Sequence, residues 1–283
     1  MGDMMKKQKQ INQRDKRQLT HQQGFTLIEL MVSLGLGLLV VALVGTLYAN
    51  NSDIFRFQRA QAETQEKSRY VLGYLRQNLQ QTGYHRDGTN FAADAQFGEN
   101  EKFSKDLSDN TTSMYRYQKA PDLRNCAGEQ IVLATGEDPL GYVRDTIGLL
   151  TEGAATDLNR RLVCYPNATD LSSNNAFEVA KGIFDIQFEY GIDTTGDLVI
   201  DEYKSASTLT DDDWLNIYAV SVCVLVGSDT KLSLVKKGMV QVFTNCQGAP
   251  RASNNYVDVN GFSPVMSVVR TTIYLPNTPK PTF

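Results

Sequence analysis

The sequence predicts an α+β fold, in which a long amino-terminal helix is packed on an antiparallel β-sheet head. Three observations predict it. From Phe25 to Ala49 the chain is apolar, with Glu29 as its only charge. From Ile54 to Leu79 apolar side chains recur at steps of three and four. Beyond Gly83 that period is lost, and short apolar or alternating runs between polar loops take over, the pattern of strands in series.

Residues 1–24 form a basic leader carrying six Lys/Arg against Asp3 and Asp15. The apolar run Leu30 to Tyr48 follows, 19 residues long. As a helix it spans about 28 Å, close to the hydrocarbon thickness of a bilayer. It lacks the polar stripe of a soluble helix, so residues 25–49 read as a membrane span. The basic residues precede it, which puts the amino terminus in the cytoplasm and the body across the membrane. A secretory signal has its cleavage site after the apolar core. Here the small residue suited to processing, Gly24, lies before it.

The helix then continues as an amphipathic stretch through Ile54, Phe57, Ala60, Thr64, Val71, Leu75 and Leu79, with no Pro before Gln81 and a stop at Gly83. Residues 25–83 are therefore one helix and residues 84–283 the head. Within the head, 85–125 read as a long loop region with short elements at best, and Ile131-Val132-Leu133 and Leu162–Tyr165 as short apolar runs. In 184–190, Phe184, Ile186, Phe188 and Tyr190 alternate with Asp185, Gln187 and Glu189, the signature of a half-buried strand. Ile217–Val226 is apolar on both faces and suits a central strand, and Val240–Phe243 and Val265–Leu275 supply two more.

Composition excludes most catalytic chemistry. The chain of 283 residues carries a net charge of −4, but the leader is basic and the remainder strongly acidic. An acidic body is a poor electrostatic match for phosphate, so direct nucleic-acid binding is not expected. The two His are His21, in the leader, and His85, which argues against His-based metal sites and His-centred triads. No nucleophile elbow or phosphate-binding glycine loop occurs, and an enzyme is not expected.

Three sets of residues remain as candidates. Glu29 is a charge inside an apolar span, costly there on insertion scales and so a functional candidate by default; the bland alternative is a helix-end acid favoured by the macrodipole. The four cysteines, Cys126, Cys164, Cys223 and Cys246, all lie beyond the span, where two disulfides can form in any of three connectivities. Nearest-neighbour pairing closes the shorter loops and favours Cys126–Cys164 and Cys223–Cys246, with buried free thiols as the alternative. Asp193, Thr195, Asp197 and Asp201 place oxygens at alternating positions, as a calcium loop does. Leu198 holds the sixth position, where Gly belongs, and Lys204 the twelfth, where Glu belongs, so a solvated acidic turn is the better reading and no cofactor is required.

The run Gly24-Phe25-Thr26-Leu27-Ile28-Glu29-Leu30-Met31-Val32 resembles the GFTLIELMV signature of type IV pilins and type II secretion pseudopilins. Further on, Gln65–Tyr70, Phe188–Asp193, Trp214 and Val269–Asn277 are similar to segments of the PilW minor pilins. The resemblance implies cleavage between Gly24 and Phe25 by a prepilin peptidase, N-methylation of Phe25, and Glu29 as the residue of subunit assembly. It implies an inner-membrane subunit with a periplasmic head, later part of a surface pilus. Its partners would be other minor pilins, the major pilin and the assembly platform, and the processes motility, adhesion or DNA uptake. The alternatives are a type II secretion minor pseudopilin of the J type and an adhesive or DNA-binding tip module.

Overall fold

The computed structural model describes residues 24–85, 97, 101–105, 108–131, 141–151, 159–167, 171, 176–233, 240–258 and 260–277. The leader residues 1–23 and the apolar pair Val132-Leu133 lie outside them. The chain divides into two units, 1–53 and 54–283.

Helix α1, Leu27–Leu79, runs through 53 residues, about 80 Å at the usual rise. It starts two residues later than the sequence suggests because Thr26 caps it. The Thr26 Oγ1 accepts from the Glu29 N–H at 3.3 Å, and the Thr26 N–H donates to Glu29 Oε2 at 3.0 Å. This is a capping box, in which each residue satisfies a donor left open by the first turn. In the first unit the large apolar side chains from Leu27 to Tyr48 are all exposed, and the helix is long and apolar enough to cross a membrane.

In the second unit the same helix turns one stripe inward. Ala60, Thr64, Ser68, Val71, Leu75 and Leu79 are buried, at the helical spacing that places them on one face. The helix ends four residues before the expected boundary, in a turn closed by Gly83 at φ +76°. The Gly83 N–H donates to the Arg116 carbonyl at 3.0 Å, and Asn277 Nδ2 donates to the Gln80 carbonyl at 2.9 Å. The second contact occupies a carbonyl that the end of the helix otherwise leaves unpaired.

Among the described residues the head holds two four-stranded antiparallel sheets. The first has the order β1 (Thr112–Gln118), β2 (Tyr142–Thr151), β3 (Arg160–Tyr165), β4 (Phe177–Lys181). In the second, β10 (Ser263–Tyr274) and β5 (Ile183–Ile192) flank β7 (Ile217–Leu232), and β6 (Glu202–Ser205) closes the edge. A small ribbon pairs β8 (Val242–Thr244) with β9 (Pro250–Ala252). Val71, Leu75 and Leu79 of the helix share one core with Ile147 and Leu162 of the first sheet and with Ile186, Phe188, Val222 and Val224 of the second.

One sequence expectation, the alternation in 184–190, needs correction. The 85–125 stretch, expected to hold short elements at best, contains β1, whose five middle residues are buried. Its pattern is obscured by Arg116, fully buried with Nε donating to the Glu101 carbonyl at 2.6 Å and the guanidinium 4.8 Å from the Phe97 ring centroid. In β5 a register shift between Ile183 and Asp185 breaks the alternation. Phe184 therefore packs with Leu225 and Met266 in a separate cluster, while Ile186, Phe188 and Tyr190 stay in the main core.

Candidate functional site

Gly24, Phe25 and Glu29 lie together at the start of α1. The Gly24–Phe25 bond sits in non-helical chain just before the helix, with Phe25 88% exposed and open space around Gly24. Glu29 is in the first turn, and its Oε2 accepts from both the Thr26 N–H and the Thr26 hydroxyl at 3.0 Å. Its carboxylate thus has partners within its own chain and sits at the positive end of the helix dipole. Sequence reasoning missed Thr26. The signal was present, since Thr followed three residues later by Glu just before an apolar run is a capping-box pattern.

The acidic segment 193–201 is a turn closed by its own carboxylates. Asp193 Oδ1 accepts from the N–H groups of Thr195 at 3.0 Å and Gly196 at 2.6 Å, and Oδ2 from that of Leu198 at 2.7 Å. Asp201 Oδ2 accepts from the Thr194 N–H at 2.7 Å and hydroxyl at 2.6 Å, and Asp197 Oδ1 from the Val199 N–H at 2.9 Å. Desolvation raises the Asp193 carboxyl, but those backbone N–H groups outweigh it and hold the group below its ordinary range. Leu198 takes the left-handed conformation, φ +66°, that a Gly would adopt without strain. Lys204, at the twelfth position, pairs with Glu202 at 2.8 Å and Asp213 at 3.2 Å. Among the described residues no group of three or more His, Cys, Asp or Glu is arranged to hold a metal ion.

The cysteines form two disulfides, Cys126–Cys164 and Cys223–Cys246, with Cα atoms 5.9 and 5.5 Å apart. The first ties the segment after β1 to β3, and the second ties β7 to the turn after β8. Beside the first lies Asp145, fully buried. Its Oδ2 accepts from the Cys126 N–H at 2.7 Å and the Tyr117 hydroxyl at 2.8 Å, and its Oδ1 from the Asn167 N–H at 3.0 Å. Burial pushes its carboxyl up to about 6, against the pull of these donors. Nothing in the local sequence marks this group, because its partners come from three separate segments.

Residues 19–45 match the prokaryotic N-terminal methylation motif, and residues 149–277 match type IV pilus-assembly protein W. Neither match is to an enzyme family. No curated protein matches the chain. A type IV-like pilin from Thermus thermophilus aligns with 75% of this chain and 97% of its own, at 11% identity and a TM-score of 0.37. That score is too low to bear on the fold. On its sequence matches the chain carries the N-terminal methylation motif over residues 19–45 and is similar, over residues 149–277, to the type IV pilus-assembly protein W family.

Proposed function

We propose that this chain is a minor pilin that primes assembly of a type IV pilus and is incorporated near its tip, alongside other minor pilins and the major pilin. The observation that carries the reading is a single carboxylate, Glu29, in the first turn of a helix whose apolar side chains are all exposed through Tyr48. Such a surface needs a covering, first lipid over residues 25–49 and then the apolar helices of other subunits.

Prepilin peptidase cuts between Gly24 and Phe25, removing the basic leader and freeing the α-amino group that becomes N-methylated. The mature subunit waits in the inner membrane with its head in the periplasm and enters the filament through the assembly platform. Within the filament core Glu29 faces the amino terminus of an adjoining subunit, an ion pair that offsets part of the cost of burying either charge. Surface pili of this kind support motility, adhesion or DNA uptake.

Replacing Glu29 by Ala tests the mechanism. The variant should be cleaved and inserted normally, because an apolar residue favours the span, yet be absent from sheared surface filaments by immunoblot. Normal incorporation of Glu29→Ala would overturn it.

A further inference from the structure

A groove of about 560 Å³ runs along the flank of α1 within the second unit, between residues 70–81 and the segment 122–128. Neither the methylation motif nor the PilW match includes residues 70–81 or 122–128, whereas Phe177, which also lines the groove, lies within the PilW match. Its walls are unusual in two respects. One is chemical. Two aromatic side chains line it while remaining half exposed, Tyr70 at 56% and Phe177 at 47%. The amides of Gln77, Asn78 and Gln81 also line it; that of Gln77 is exposed, that of Asn78 is buried with Nδ2 donating to the Tyr74 carbonyl at 2.9 Å, and Gln81 Oε1 is buried without a partner. The charged side chains lining it, Asp122 and Arg124, are of opposite sign, so the groove has no net charge.

The other is mechanical. Segments of this kind are normally the loosest parts of a fold, yet this one is anchored at several points. Cys126 is bonded to Cys164 of β3. The Cys126 carbonyl accepts from the Tyr74 hydroxyl of α1 at 2.8 Å, and its N–H donates to buried Asp145 at 2.7 Å. The Arg124 carbonyl lies 3.2 Å from the Tyr117 hydroxyl, whose one proton is shared with the nearer Asp145 carboxylate at 2.8 Å. Asn125 closes the turn itself, its Oδ1 accepting from the N–H groups of Ala127 at 3.1 Å and Glu129 at 2.9 Å. The wall is fixed before any ligand arrives, which lowers the ordering cost of binding.

We propose that this groove is a binding site for a neutral saccharide. A pyranose presents an apolar C–H face, which stacks on an exposed aromatic ring, and a rim of hydroxyls that both donate and accept. Amide side chains carry one acceptor and a two-proton donor each, matching that rim without needing charge. An anionic ligand finds no surplus of cations here, and an apolar peptide finds no deep hydrophobic pocket among the lining residues. The site stands independently of the assembly role, since it uses none of the residues before Asp53.

The test uses the full mature chain in a sugar-free detergent, on an array of neutral oligosaccharides such as maltotriose, chitotriose and lactose, with titration of any that is retained. Binding of at least one, weakened about tenfold by Tyr70→Ala and by Phe177→Ala, is the expected result. Tyr70→Trp keeps a ring and should retain affinity. Tyr274→Ala, an exposed ring on β10, should leave it unchanged. The two Ala variants remove half-exposed side chains, and an unchanged thermal midpoint confirms that each still folds. Retention of no saccharide, or affinity indifferent to Tyr70 and Phe177, overturns the proposal. So does efficient cross-linking of Gln77→Cys to a neighbouring subunit in intact filaments, which would make the groove a subunit interface.

Discussion

Lys102 is a primary amine shut away from water, with 2% of its surface exposed. Its Nζ donates to the Ile217 carbonyl at 2.9 Å and lies 5.1 Å from the Tyr218 ring centroid. Burial pushes the ammonium down to about 7. In the unfolded chain the same group keeps its proton to above pH 10. Between pH 7 and 9 the unfolded state therefore holds more protons than the folded one, and stability must rise with pH. The urea midpoint should climb across that window in the wild type and stay flat in Lys102→Met. A flat wild-type profile would show that the amine is solvated or paired in solution. The tyrosines act in the opposite sense, but only near pH 10. Burial raises the hydroxyls of Tyr115 and Tyr190, so their ionisation favours unfolding only where free tyrosine begins to titrate. None of this was readable in the sequence. A Lys in a polar stretch normally points to water, and only the closing of the helix end against β7 removes water from this one.

Helix α1 has two glycines that should respond in opposite ways to the same substitution. Gly73 sits mid-helix, and a Cβ there would meet nothing within 4 Å. Gly73→Ala should stabilise the head by about 0.5–1 kcal/mol, through helix propensity alone. Gly83 is left-handed, and a Cβ there would lie 2.9 Å from the Asn277 carbonyl oxygen and 3.2 Å from Lys102 Cδ. Gly83→Ala should destabilise by about 1–3 kcal/mol, combining backbone strain with that clash. Paired thermal melts check both, and equal effects of one sign would contradict the assigned ends of the helix. At this scale the sequence was informative. An apolar run with no Pro and a repeating stripe is a local property, so α1 could be read to within a few residues. Strands were read unevenly. The Ile217–Val226 run stands out because both its faces are buried, whereas β1 hides behind Arg116 and β2 carries Arg144 and Asp145 among its apolar residues.

For the molecule as a whole, the two disulfides enclose sequence separations of 38 and 23 residues. Each should contribute about 2–4 kcal/mol, mainly by restricting the unfolded chain. Reduction under native conditions should lower the thermal midpoint of the head while leaving the apolar helix inserted in detergent or lipid, since no cysteine lies before Cys126. Circular dichroism with and without a thiol reductant checks this, and an unchanged midpoint would mean that the bridges add nothing. Loss of Cys126–Cys164 alone should also loosen the wall of the saccharide groove, so affinity there should fall together with stability in Cys126→Ser/Cys164→Ser.

The amino-terminal segment was determined by sequence alone. Its length, lone acid and preceding basic leader are properties of consecutive residues, and membrane insertion and proteolytic processing both act on consecutive residues. The tertiary structure decided what depends on distant segments meeting. It joined Cys126 to Cys164 and Cys223 to Cys246, and buried Asp145 beneath Cys126 with partners from three segments. It also joined the flank of α1 to residues 122–128 as a groove. Proximity of that kind follows from chain topology and core packing, and neither is written in any short stretch of the chain.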